Sequence, residues 1–181
     1  MKVKKYVITG GPGTGKSTTI KALSKEFLTA REAARIVIEQ EIKKKGKAHT
    51  WKGDVNERQQ KILELQIRLE KEAVEKAERL GKDVIFMDRG IPDGTIYYKI
   101  SKTPLPKNLL DESRKERAKY EKIFILEPIK YEKDYIRMEP KYVAEKMQEL
   151  IKKTYKGLNY KTIKVPAMHV KERIKFIKKF V

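Results

Sequence analysis

The chain has 181 residues, enough to bury most of its unfolded surface in one core, so a single domain spanning 1–181 is the simplest reading. It contains no cysteine and only two histidines, His49 and His169, which excludes disulfides, thiolate nucleophiles, Cys-based zinc sites and His-rich metal clusters. Lys and Arg outnumber Asp and Glu by 44 to 25, a formal charge of +19 that fits a polyanion partner such as RNA; the 38% of charged residues fits a heat-adapted, thermophile-type surface equally well.

No apolar run has the length of a membrane span, and Met1-Lys2-Val3-Lys4-Lys5 leads into a strand instead of a signal-peptide core, so a cytoplasmic protein with no membrane partner is expected. Short apolar runs alternating with longer helical patterns argue for an α/β layer fold with a parallel sheet. Lys4 to Thr9 is the first strand, central because the stretch after it, Gly10-Gly11-Pro12-Gly13-Thr14-Gly15-Lys16-Ser17, has the form of a phosphate-binding loop. Its glycines allow positive φ and let the backbone turn successive N–H groups inward. Lys16 has the reach for β- and γ-phosphates, and the Ser17 hydroxyl can ligate Mg²⁺. The helix opening at Ser17 turns its positive end to the same anion. Gly11, Gly13, Thr14, Gly15, Lys16, Ser17 and Thr18 are the candidate nucleotide-binding residues, and any metal is expected to arrive with the nucleotide.

Glu26 to Thr29 reads as a short second strand, with Thr29 capping a helix over 31–40. Glu32 and Arg35 then stand near the carboxyl end of that strand, as a charged turn or as holders of an acceptor. Lys43 to Gly53 reads as a basic loop in which Trp51 either covers a core edge or stacks on a base. Asp54 caps a long helix to Leu80 with an apolar stripe of Ile62, Leu65, Leu69, Ala73, Ala77 and Leu80. Gln59 and Gln66 lie at the edge of that stripe, either as interface polarity or as donors to a base or sugar.

Asp83 to Asp88 is a buried strand ending in a carboxylate that can organise Mg²⁺ or accept a proton, and Arg89 beside it can neutralise a phosphate. Asp93 is expected to cap the short helix through Tyr98. Asn108 to Arg117 reads as a polar helix packing weakly on the sheet, Lys122 to Leu126 as the fourth core strand, and Tyr131 to Glu139 as a lid in which Arg137 is the candidate cation over the transferring phosphate. An amphipathic helix over 142–155, a last strand over 160–165 and a basic amphipathic helix over 170–180 complete the chain. Packing and solvation suffice to account for the last helix.

Ile8 to Thr19, Glu32-Ala33-Ala34-Arg35, Phe86 to Asp93 and the tail from Val170 to Phe180 together resemble the small AAA-type P-loop proteins of the nicotinamide-riboside-kinase-like group, which are similar to nucleoside and nucleoside-monophosphate kinases. That resemblance implies a three-layer P-loop NTPase fold with a five-stranded parallel sheet in the order 2-3-1-4-5, flanking helices and a small lid. It implies ATP and Mg²⁺ held by Lys16 and Ser17, Asp88 for metal organisation or proton acceptance, and Arg89 for phosphate. Glu32 and Arg35 would face the acceptor. Kinases of this kind carry several lid arginines, whereas this stretch has Arg137 alone. The leading expectation is an ATP- and Mg²⁺-dependent phosphotransferase acting on a nucleoside, nucleotide or related small metabolite. The alternative is an ATPase switch or RNA-directed P-loop protein using its basic surface.

Overall fold

The structure, a computed structural model, describes residues 2–45, 55–116, 119–129 and 140–181. Trp51, Asp54 and Arg137, and the lid expected around Arg137, lie outside the described residues. Five strands, β1 (Lys4–Thr9), β2 (Leu28–Ala30), β3 (Val84–Asp88), β4 (Tyr120–Leu126) and β5 (Thr162–Val165), form one parallel sheet in the order β2-β3-β1-β4-β5. The helices are α1 (Lys16–Leu23), α2 (Ala33–Lys45), α3 (Val55–Arg79), α4 (Gly94–Ser101), α5 (Lys107–Glu116), α6 (Lys141–Gly157) and α7 (Val170–Lys178), with a single 3₁₀ turn at Ile91–Asp93 before α4. None of the described helices is long and apolar enough to cross a membrane.

The central strands are apolar on both faces because helices cover both. Val7, Ile85, Met87, Ile123 and Ile125 turn toward Ala77 of α3, Ile96 of α4 and Met147, Ile151 and Tyr155 of α6. The alternate residues Tyr6, Ile8, Phe86, Phe124 and Leu126 turn toward Leu23 of α1 and Ile177 of α7. Register sets the end of the sheet that matters: Ile8 pairs with Asp88, so the turns after β1 and β3 leave the sheet side by side. The segment after β2 joins them, since Ala30 pairs with Met87.

Several expected details differ. Thr29 lies within β2, not at a helix cap, and α2 begins at Ala33, with Ile36 N donating to Glu32 O in its first turn. The most buried positions of α3 are Gln59, Leu63, Gln66, Glu70 and Ala77, while Leu80 is exposed. The helix turns an amide-and-carboxylate face inward because partners for those groups wait beneath it. Glu70 accepts from Lys5 Nζ (2.9 Å), Tyr120 Oη (2.6 Å) and Gln66 Nε2 (2.9 Å), so its burial leaves no bare charge. Helix α5 is more than a surface helix, because Leu109 is buried with Leu63, Ile91 and Tyr98 in a small third core.

Candidate functional site

The loop after β1 is held in shape from outside and from within. Gly10, Gly13 and Gly15 have φ of 150°, 74° and 74°, conformations that an L side chain resists. Gly11 does not share the positive φ expected of it from sequence; its constraint is space, since a Cβ there would lie 3.0 Å from Ala144 O. Its N–H is also taken, donating to Gln148 Oε1 at 2.6 Å, while Gln148 Nε2 donates to Leu126 O at 3.0 Å. Thr14 Oγ1 donates to Gly11 O, and Gly13 O accepts from Ile129 N. Lys16 Nζ is folded into the loop, donating to Gly10 O (2.6 Å) and Gly11 O (2.8 Å). Ser17 and Thr18 open α1 and are exposed.

Beside this loop, the turns after β2 and β3 close around a buried ion cluster. Arg89 has φ 72°, a backbone state that costs a non-glycine residue energy and is sustained here by its partners. Its Nε donates to Glu32 Oε1 at 2.7 Å and its Nη1 to Asp93 Oδ1 at 3.1 Å. Burial pulls the guanidinium pKa down, but the charges of Glu32, Tyr97 and Asp93 and the Glu32 hydrogen bond carry it well above the ordinary arginine value. Gln66 Nε2 donates to Arg89 O at 3.2 Å.

Asp93 is expected to cap α4 and does not: no side-chain hydrogen bond caps that helix. Its carboxylate instead collects four donors from separate parts of the chain, Thr9 Oγ1 (2.5 Å), Arg89 Nη1, Gly90 N (3.1 Å) and Tyr155 Oη (2.5 Å). Burial and then Asp93 push the Tyr155 phenol well above its ordinary value, so it stays a donor. Through Thr9 and Asp93 the end of β1 is tied directly to the ion cluster.

A cleft open to solvent lies against this cluster. Glu32, Arg89 and Asp93 line one side of it, Gln59 and Gln66 of α3 another, and Ile62, Leu63, Ile91, Leu109 and Tyr97 supply the apolar wall. The structure therefore brings together Glu32, Arg89, Gln59 and Gln66 from the sequence candidates, while Asp88 is outside the lining and pairs in register with Ile8, two residues before the phosphate loop. Arg35 lies outside the lining, on α2, with Nη1 3.9 Å from Glu39 Oε1. Among the described residues no cluster of three or more His, Asp or Glu stands ready for a metal.

A family model described as an AAA domain matches residues 5–173. The chain belongs to that AAA domain family. Within it, the sheet order and flanking helices are those of P-loop kinases. Among solved structures, the chain is similar to deoxyadenosine kinase from M. mycoides with the products dCMP and dCDP, at 17% identity and TM-score 0.62, with 97% of each chain covered. It is also similar to the NadR protein in complex with NAD and AMP-PNP, at 15% identity and TM-score 0.69, covering 98% of this chain and 49% of that one. A second NadR structure, in complex with NR, matches at 18% identity and TM-score 0.66, covering 90% of this chain and 43% of that one, so the chain spans about half of NadR's length. At these identities the likeness is one of fold. No curated protein matches the chain in sequence.

Proposed function

We propose that the protein is an ATP- and Mg²⁺-dependent kinase that phosphorylates a hydroxyl of an uncharged or cationic nucleoside-type acceptor. The observation that carries this reading is the ion cluster in the cleft beside the phosphate loop, where one guanidinium faces two carboxylates. Arg89 is engaged by Glu32 and Asp93, so the lining has a formal excess of negative charge and offers little to an incoming phosphate monoester, which would meet like charge in a buried site. A neutral ribose with a planar base suits it better: hydroxyls meet carboxylates, the amides of Gln59 and Gln66 meet base or sugar polar atoms, and the ring lies among Ile62, Leu63, Ile91, Leu109 and Tyr97. The nucleoside and nucleotide ligands of the structurally similar proteins support the same class.

In this reading Glu32, which lines the cleft, takes the acceptor hydroxyl proton as that oxygen attacks the γ-phosphorus and ADP departs. Arg89 and Asp93 position it. Ser17 and Asp88 would hold Mg²⁺, which supplies charge stabilisation to the phosphates when bound. Lys16 exchanges the Gly10 and Gly11 carbonyls for phosphate oxygens. Alignment of hydroxyl and phosphorus supplies much of the rate. Arg137 is the proposed lid cation.

A panel experiment with γ-labelled ATP, Mg²⁺ and nucleosides, nucleoside 5′-monophosphates or short RNAs tests the reading. Label is expected in a nucleoside monophosphate, with monophosphates at least about tenfold poorer acceptors by kcat/KM, one buried like-charge contact being enough for that ratio. Label confined to free phosphate and stimulated by RNA would favour an ATPase switch acting through the basic surface instead.

A further inference from the structure

The terminal helix contains a buried cation that the cleft chemistry does not use. Arg173, on α7, is 1% exposed, one of the largest fully buried side chains in the protein, and no carboxylate pairs with it among the described residues. Its Nη1 donates to Thr14 O at 2.8 Å and to Thr19 Oγ1 at 3.2 Å, whereas Nε and Nη2 are buried without a hydrogen-bond partner. Burial without a compensating anion pulls its pKa below the ordinary arginine value, though arginine remains charged. A charge kept this way is costly to the fold, and a carboxylate or an apolar residue in its place would relieve the cost.

We infer that Arg173 is a positioning residue for the nucleotide, turning the Thr14–Gly15 peptide toward the phosphates and supplying, from beneath the loop, a positive charge that the triphosphate compensates. A trans peptide directs its C=O and its N–H to opposite sides. Anchoring Thr14 O on the guanidinium, outside the loop, therefore aims Gly15 N–H at the loop interior and strengthens it as a donor by polarising the same amide. The approach is close: a Cβ on Gly15 would stand 2.9 Å from Arg173 Nη1, at a position where the φ of 74° already favours glycine. Gly13 O is held outward in the same sense by Ile129 N, so two successive peptides of the loop are set from outside.

The inference rests on the loop binding a nucleotide, and reading it by binding instead of transfer keeps its failure separate from that of the kinase assignment. Dissociation constants for ATP, ADP, AMP and adenosine are measured for the full chain and for Arg173→Met, Arg173→Gln and Arg173→Lys, together with Tm with and without ATP. Arg173→Met is expected to weaken ATP and ADP by about tenfold or more, the scale of one charge-assisted contact, and adenosine by less than about twofold. Arg173→Lys retains most of the affinity. Without nucleotide, Arg173→Met melts no lower than the wild type, and its ATP-induced rise in Tm is smaller. Equal losses for ATP and adenosine, an unchanged ATP affinity, or a lower Tm with an undiminished ATP-induced rise would each make Arg173 a packing residue and overturn the inference. So would loss of the folded state in all three variants.

Discussion

Lys16→Ala is expected to reduce phosphoryl transfer by about 10³-fold or more while leaving the protein folded. Removing one preorganised donor to a developing anion costs about 10²–10³ in rate, and a full charge moving with the γ-phosphoryl adds to that. The fold survives because Lys16 is bound to the loop's own Gly10 and Gly11 carbonyls, of which Gly11 O keeps its bond from Thr14 Oγ1 and both can accept from water. Steady-state kinetics with a saturating acceptor, beside a circular dichroism melt, checks both halves. Turnover within about tenfold of wild type would remove Lys16 from the phosphate site.

Glu32→Gln is the second large effect. The substitution keeps the shape and a hydrogen-bond acceptor for Arg89 Nε but removes the proton-accepting charge, so kcat is expected to fall by about 10²–10⁴ with ATP affinity changed by less than about twofold. Arg89 keeps Asp93 as an ion-pair partner, which limits the loss of stability to a fraction of the ~3–5 kcal/mol that follows when a buried ion is stripped of its only counter-ion. A variant that retains most of its turnover would transfer the proton-accepting role to Asp88, the carboxylate that ends β3.

Much of the local structure around the glycine-rich loop was legible because its residues are adjacent in sequence. The strand, the glycine-rich turn, Lys16-Ser17 and the helix that follows form one uninterrupted stretch, and Asp88-Arg89 close another apolar strand. The partners that shape the loop were not legible in the same way. Gln148 is 137 positions from Gly11 and Arg173 is 159 from Thr14, and neither belongs to a local motif. A signal existed for Arg173: it stands four residues before the buried Ile177, hence on the packed face of α7, whereas lysines occupy the exposed positions. Arginine at such a position points to a buried forked donor, while a solvated face is served by lysine.

The ion pairs of Arg89 were not legible, because its partners, Glu32 at 57 positions' distance and Asp93 at four, give no sign in sequence that they turn toward it. Similarly, of the apolar stripe of α3 only Ala77 is among the most buried positions. Hydrophobic periodicity cannot anticipate a polar face buried over Lys5, Tyr120 and the Arg89 backbone, since that burial is stabilised by long-range hydrogen bonds.

The most direct test of the account is a crystal structure with the ATP analogue AMP-PNP, Mg²⁺ and a nucleoside acceptor. The account predicts the triphosphate inside the Gly10–Ser17 loop with Lys16 Nζ moved from the Gly10 and Gly11 carbonyls onto it, and a nucleoside hydroxyl beside Glu32 in the cleft, directed at the γ-phosphorus. A triphosphate bound elsewhere, or an acceptor lodged away from Glu32 and Arg89, would contradict it.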